Sequence, residues 1–77
     1  MLLFEWDADK ARENEQKHGV GFPEASEVFD DDRSSTVQDP DHSVNEARYL
    51  IFGASKQGRY RVVSYTERAG RMRLISA

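Results

Sequence analysis

The 77-residue sequence contains no cysteine. Neither a disulfide framework nor a thiolate zinc site can form without it, which excludes the usual supports of small secreted domains. The N-terminal apolar run ends at Glu5, far short of the length that the core of a signal peptide or a membrane span requires. We therefore expect a soluble, cytoplasmic protein that does not associate with a membrane.

The common catalytic motifs are also missing. The sequence has no phosphate-cradling glycine loop, no HExxH, no GxSxG and no calcium-binding loop, which excludes the familiar cofactor enzymes. An acidic stretch has the residue types of a hard-cation site, but its spacing fits no loop with defined ligand positions; it comprises Asp30, Asp31, Asp32, Asp39, Asp41 and His42. The sequence predicts a solvated turn there, and neither a metal nor a cofactor for the protein.

Length and composition, with 38% hydrophobic and 32% charged residues, predict one small globular domain over residues 1–77. Such a chain hides only about 60% of its unfolded surface, so a binding partner or an oligomer is expected to add stability. The net charge of −3 conceals a division: residues 1–46 carry thirteen acidic and four basic residues, whereas residues 47–77 carry one acidic and seven basic residues. The second part has the charge of a phosphate-binding surface, although a solvated sheet face that balances acidic helices explains it equally well.

The first part of the chain predicts one strand and two helices. Residues 2–6 alternate between apolar side chains and their neighbours, which is typical of a short strand with one buried face. Residues 8–18 contain neither proline nor glycine, and they lie between Asp7 as N-cap and Gly19 as C-cap. A second helix is expected to open at Pro23 and to bury one face, formed by Phe22, Ala25, Val28 and Phe29.

The second part of the chain predicts three strands in a row. They are rich in β-branched and aromatic residues, are separated by glycine-containing turns, and cover residues 47–52, 59–66 and 71–76. Residues 34–38 are compatible with a further weak strand. The order β-α-α-β-β-β predicts an α+β fold in which two N-terminal helices pack on one face of a small twisted antiparallel sheet. The other face of the sheet is left free.

The turn at residues 69–70 decides which arginines meet, and two registers are possible. A two-residue turn places Arg68 opposite Arg71, and it gives one face of the hairpin to Ser64, Thr66, Arg68, Arg71 and Arg73. A three-residue turn would pair Glu67 with Arg71 and Tyr65 with Arg73, so that carboxylate, phenol and guanidinium groups would share one face. The two-residue turn is preferred because it brings together the apolar side chains of Val63, Tyr65, Met72 and Leu74.

Arginines that face one another destabilise a hairpin, and a bound phosphate is one way to relieve the repulsion. The predicted strands allow four arginines to converge on one concave surface, namely Arg48, Arg68, Arg71 and Arg73. The alternative is that each arginine pairs with an acidic residue and keeps the sheet soluble. His18 and Lys17 lie at the expected C-terminal end of the first helix. Histidine is a common acid or base near neutral pH, but a purely surface role is equally possible for both residues.

Four segments in order make the chain resemble the BrnT-like toxins of type II toxin–antitoxin systems over nearly its whole length. They are Phe4-Glu5-Trp6-Asp7, the stretch NEQKHG at 14–19, Phe22 with Glu24-Ala25 and Val28-Phe29, and the run from Gly58 through YTERAGRMRLISA. The resemblance implies a fold like that of the RelE and ParE toxins and an endoribonuclease that inhibits translation. It also implies neutralisation by a BrnA-like antitoxin in a hetero-oligomer, with operator DNA bound only through that antitoxin.

Two alternatives to this function are considered. Fold similarity alone does not decide function, because ParE-like toxins act on DNA gyrase, so a gyrase-directed toxin is the first alternative. The second is a truncated antitoxin-binding module without activity, because the family pattern continues past Ala77 into a basic C-terminal helix that this sequence lacks.

A metal-independent ribonuclease needs few groups, since the ribose 2′-hydroxyl attacks the adjacent phosphate and leaves a cyclic phosphate end. Arginines would stabilise the developing charge, with Arg68 and Arg73 as first candidates and Arg48 as third. His18 or Glu67 would serve as general base. The candidate RNA-binding residues are Lys17, Arg71 and Tyr65, of which Tyr65 either orients the substrate or fills the core.

Overall fold

The computed structural model describes residues 2–42 and 46–77. Two helices and five strands follow one another along the chain. They are β1 (Leu3–Glu5), α1 (Ala8–His18), α2 (Phe22–Ser26), β2 (Ser35–Gln38), β3 (Arg48–Ala54), β4 (Tyr60–Arg68) and β5 (Arg71–Ser76). Short 3-10 helices cover Glu27–Asp30 and Pro40–His42. The α+β class and the predicted helices and strands are confirmed.

The five strands form one sheet in the order β1-β5-β4-β3-β2. Two details of the predicted sheet were wrong. The weak strand at 34–38 is a full member of the sheet, as β2, so the order is β-α-α-β-β-β-β. The sheet is mixed, because β1 runs parallel to β5, whereas all other neighbours are antiparallel. The helices between β1 and β2 bring the chain back across the sheet, and alternation within three residues does not reveal the direction of a strand.

Helix α1 begins and ends where its capping residues predict. The side chain of Asp7 accepts hydrogen bonds from the backbone N–H groups of Asp9 and Lys10, at 2.9 and 3.1 Å, and these bonds lower the pKa of Asp7. Gly19 has φ 70° and closes the other end. The apolar stripe of α1 is poor, and its buried residue is Asn14.

Asn14 fastens α1 to the rest of the fold through both ends of its amide. Its Nδ2 donates to the carbonyl of Val20 over 3.1 Å, and its Oδ1 accepts from the backbone N–H of Ala77 over 3.0 Å. A buried polar group costs little when each of its atoms has a partner. The hydrogen bonds of Asn14 therefore attach α1 to the rest of the fold, where its few apolar side chains provide little packing.

The core lies between α2, the 3-10 helix that follows it, and one face of the sheet. The buried residues from both layers are Val20, Phe22, Ala25, Val28, Ile51, Val63 and Leu74. Aromatic edges surround this cluster, with Phe29 in contact with Phe4 and Tyr65 at centroid distances of 5.1 and 4.9 Å. The expected buried face of the second helix is thereby confirmed, with Phe29 half-buried at its margin.

The helix side and the sheet are in close contact at Gly53 in β3. A Cβ atom there would lie 3.0 Å from both Val28 Cγ1 and Asp31 Oδ2, and 3.1 Å from the Cβ of Ser34. The Asp31 carboxylate accepts hydrogen bonds from the backbone N–H groups of Ala54 (2.8 Å) and Arg33 (3.0 Å), which lower its pKa. Glycine at position 53 thus lets Val28 and the loop that contains Asp31 and Ser34 pack closely on β3.

Candidate functional site

The turn between β4 and β5 has two residues. Ala69 and Gly70 both have positive φ, at 52° and 76°, as in the tight hairpin turn that follows the twist of its strands. Arg68 is opposite Arg71, and Thr66 is opposite Arg73. The two-residue register predicted from the sequence is confirmed from the turn to the pair Tyr65–Leu74, and the three-residue register is excluded. Beyond that pair the register shifts, so that Ser64 is opposite Ser76.

The strand registers place all four candidate arginines on the sheet face opposite the helices, which is called the free face below. A row across four strands joins Arg48, Thr66, Arg73 and Glu5, each opposite the next. Arg68 and Arg71 form the neighbouring row: Arg68 is two positions after Thr66 on β4, and Arg71 is two positions before Arg73 on β5. The name arginine cluster is used below for Arg48, Arg68, Arg71 and Arg73.

Thr66 lies in the middle of the first row, between Arg48 and Arg73. It is only 2% exposed, and its Oγ1 donates to the carbonyl of Ala47 over 2.7 Å. Because the side chain of Thr66 is short and its hydroxyl already has a hydrogen-bond partner, Thr66 leaves an open space between the two longer arginine side chains. The predicted hairpin register already placed Thr66 on this face, but without a role.

Two carboxylates hold arginines of the cluster, and sequence analysis missed both. Nη1 of Arg73 donates to Oε2 of Glu5 over 2.5 Å, and Nη2 of Arg68 contacts both carboxylate oxygens of Glu46, at 3.2 and 3.0 Å. The side chains of the first pair are 30% and 28% exposed. Glu5 lies within a segment that carries the family resemblance, but its opposition to Arg73 depends on the parallel pairing of β1, which no local pattern indicates.

The cluster retains an excess of positive charge. Glu46 pairs with Arg68 and Glu5 with Arg73, and Asp39 lines the same groove as Arg48. In the described part of the chain, the exposed guanidinium of Arg71 has no hydrogen-bond or ion-pair partner, while Arg48 is half-buried in β3. An unneutralised, exposed guanidinium among fixed ones provides bidentate donors for a phosphate group.

His18 and Lys17 lie at the C-terminal end of α1 and are exposed. They line a groove between α1 and the last residues of β5, which include Ser76. A second groove, on the free face, contains Arg48, Leu50 and again Ser76. Because Ser76 lines both, the two grooves adjoin, and His18 and Lys17 lie at the border of the free face.

Tyr65 and Glu67 are on the other face of the sheet. Their partners in β5 are Leu74 and Met72, so both side chains are on the side of the helices. The ring of Tyr65 packs against Phe29, and burial raises the pKa of its phenol above the ordinary value. The structure therefore does not bring Tyr65 or Glu67 together with the arginine cluster.

Within residues 2–42 and 46–77, no group of three or more histidine, aspartate or glutamate side chains is placed to hold a metal ion. The same residues contain no helix that is long and apolar enough to cross a membrane.

A basic sheet face on which Arg68 and Arg73 are paired, and Arg71 has no partner among the described residues, is an arrangement that can bind and stabilise phosphate charge. Comparison with known proteins agrees with this chemistry. No curated protein matches the chain at a significant level. A family model described as "Ribonuclease toxin, BrnT, of type II toxin-antitoxin system" matches residues 6–77, which is nearly the whole length. The chain therefore belongs to the BrnT family of ribonuclease toxins of type II toxin–antitoxin systems.

Proposed function

We propose that the protein cleaves RNA without a metal ion and that the arginine cluster is its phosphate-binding site. The observation that carries this proposal is the register that places Arg48, Arg68, Arg71 and Arg73 on one open sheet face. Guanidiniums are permanently charged and bind phosphate oxygens in pairs, so they can stabilise the charge that develops during cleavage. Donors fixed in advance are worth most in the transition state.

In the proposed reaction the 2′ oxygen of a ribose forms a bond to the adjacent phosphorus while the bond from phosphorus to the 5′ oxygen breaks. A general base takes the proton of the 2′-hydroxyl, and the leaving 5′ oxygen takes a proton from solvent. The products are a 2′,3′-cyclic phosphate and a 5′-hydroxyl. No electron transfer and no co-reactant are involved.

The roles of the arginines follow from their partners. Arg73 and Arg68 are held by Glu5 and Glu46, so their guanidiniums are oriented before RNA arrives, and we assign them to the scissile phosphate. The unpaired Arg71 is assigned to RNA binding, together with Lys17 at the border of the free face. Arg48 completes the first row from the side of β3.

His18 is the proposed general base, because it lies in the groove that adjoins the free face at Ser76. A well-placed base contributes about 10² to 10⁴ in rate. Glu67, the other general-base candidate, and Tyr65, a candidate RNA-binding residue, have no role in this proposal because they are on the helix side of the sheet. Glu5 is proposed as a positioning residue for Arg73.

The proposed partner is a BrnA-like antitoxin of the same operon, which would bind the toxin in a hetero-oligomer. In this complex only the antitoxin would contact operator DNA. Membership in a type II family supports an antitoxin of some kind. We place the cleavage reaction in the cytoplasm, where messenger RNA is translated. A RelE-like architecture stays a prediction from the sequence.

The proposed reaction is tested by incubating the purified, antitoxin-free protein with a defined RNA in excess EDTA. We expect cleavage that leaves 2′,3′-cyclic phosphate ends. The variant Arg68→Ala/Arg73→Ala, purified in parallel, excludes a contaminating ribonuclease, because it is expected to be inactive. Absence of cleavage, or cleavage only after addition of Mg²⁺, would overturn the mechanism.

A further inference from the structure

Four apolar side chains lie side by side on the free face, and they are called the apolar strip: Val37, Leu50, Phe52 and Val62. Val37 is opposite Leu50 in the pair β2–β3, and Phe52 is opposite Val62 in the pair β3–β4. Leu50 and Phe52 are two positions apart on β3 and so share one face. The registers thus make the strip contiguous over three strands.

The strip is open to solvent. Val37 is 49% exposed, Phe52 42% and Val62 46%. Their neighbours on the same strands that face the helices, Ile51 and Val63, are 4% and 0% exposed. An apolar patch of neighbouring strand residues is unusual on the surface of a protein that functions alone, and it typically marks a binding surface.

The apolar strip borders the arginine cluster. Leu50 and Arg48 are two positions apart on β3, a separation of about 7 Å along a strand. The free face therefore changes from apolar to basic over a few residues. Arg71 has no partner in the described part of the chain, so the basic end can still accept carboxylates. An apolar centre with arginines at its border is a common composition of protein–protein interfaces.

We propose that the apolar strip is the docking surface for a segment of the antitoxin that carries apolar side chains next to carboxylates. The apolar side chains would cover Phe52 and Val62, and the carboxylates would reach the arginine cluster. The inference rests on the proposed function in one respect, because occupying the cluster inhibits cleavage only if RNA binds there. A single continuous segment would thus both anchor the antitoxin and block RNA.

Two other occupants fit the surface less well. A second copy of the chain docked through this face would bring two positively charged clusters towards each other, which opposes association. RNA is held mainly through its phosphates, and Val37, Leu50 and Val62 offer neither charge nor hydrogen bonds to it, so that Phe52 alone in the strip could contact RNA, by stacking on a base. A protein segment with both apolar and acidic side chains complements both ends of the face.

The test compares antitoxin affinity for three variants by titration calorimetry, with the purified antitoxin of the same operon as the probe. Phe52→Thr and Val62→Thr remove apolar surface and place a β-branched side chain, which suits a strand, at each position. Leu2→Thr is the matched control, because Leu2 is 47% exposed and lies beside β1, three strands away from β3. We expect Phe52→Thr to weaken binding by roughly tenfold or more, Val62→Thr by less, and Leu2→Thr by less than about twofold.

RNA cleavage by the free variants is measured in the same preparations, and both strip variants are expected to cleave like the wild type. Wild-type antitoxin affinity of both variants would overturn the proposal. So would a loss of cleavage with antitoxin affinity unchanged, which would indicate an RNA surface, or a wild-type dimer that Phe52→Thr dissociates, which would indicate self-association. If the wild type does not cleave RNA at all, the ribonuclease proposal fails, while the affinities still decide where the antitoxin docks.

Discussion

Glu5 and Arg73 are opposite each other in the parallel pair of β1 and β5, and their side chains meet at 2.5 Å although they are 68 positions apart. The pair is partly exposed, so solvent screens it, and its contribution to stability is small. Its effect on geometry is larger, since a long side chain with a fixed partner samples fewer orientations. The N-terminal strand therefore orients an arginine that the proposed site depends on.

Removal of the Glu5 carboxylate is expected to lower kcat more than it changes stability. Glu5→Ala frees Arg73 to leave its position, and a misplacement of 1 Å costs up to about 10²-fold in rate. KM is expected to stay the same or fall, because the free face becomes more positive. Glu5→Gln keeps an oxygen that accepts the hydrogen bond and should restore most of kcat. Steady-state kinetics on a short RNA measure both constants.

Asp32→Ala is the control for this prediction, because it removes one acidic charge from an exposed loop position. It should leave kcat unchanged. Equal effects of Glu5→Ala and Asp32→Ala would show that only net charge matters and would contradict the positioning role.

Arg73→Ala and Arg68→Ala, made singly, are each expected to reduce cleavage by roughly 10² or more, the scale of losing one preorganised donor. Lysine at either position should restore little, because a point charge does not replace a bidentate guanidinium. Single-turnover cleavage rates report the change. Thermal melting should shift little, since exposed ion pairs contribute about 0 to 1 kcal/mol.

Arg12 provides the matched control for these arginines. It is exposed on α1, where it pairs with Asp9. Arg12→Ala should leave cleavage intact. Wild-type rates for both Arg68→Ala and Arg73→Ala would remove these residues from the site.

Most of the fold was predictable because its signals are local. Asp7 and Gly19 mark both ends of α1, and the Ala69-Gly70 turn determines the β4–β5 register. The face that carries Arg68, Arg71 and Arg73 follows from that register by simple alternation. The arginine cluster was therefore accessible from the sequence.

What sequence analysis missed depends on pairing between distant segments. The partners Glu5 and Glu46 reach the cluster from β1 and from the loop before β3, and no periodicity connects them with Arg73 or Arg68. The side of the sheet that a residue occupies was decisive for Glu67. Glu67 was a candidate general base, but neighbours in a strand point to opposite faces, so Glu67 lies on the helix side and Arg68 on the free face.

Acid is expected to destabilise the protein partly through Asp31. Hydrogen bonds from Ala54 and Arg33 lower the pKa of its carboxyl below the ordinary 3.8, so the folded form binds the proton less readily than the unfolded form. The resulting stability is fully present above the unfolded pKa and is lost as the pH falls through the lower folded value. Urea unfolding between pH 7 and pH 2 measures this dependence.

Asp31→Asn should lower the stability at pH 7 and flatten the decline below about pH 4, because the amide cannot replace a carboxylate that accepts two hydrogen bonds. Asp32→Asn should do neither, since the side chain of Asp32 accepts no hydrogen bond in the part of the chain that the structure describes. Parallel pH curves for the wild type and Asp31→Asn would contradict the role given to Asp31.

Gly53→Ala is expected to destabilise the fold by about 1 to 3 kcal/mol, the usual cost of overpacking. The added methyl would lie 3.0 Å from both Val28 and Asp31. To avoid this overlap, the 3-10 helix and the loop after it must move away from β3. Gly21→Ala is the matched control: its Cβ would meet the flexible end of Glu15 at 3.3 Å, and the weaker N-cap is offset by lower entropy of the unfolded chain. Urea midpoints at pH 7 compare the variants. The close approach at Gly53 is contradicted if the two alanine variants unfold at the same urea concentration.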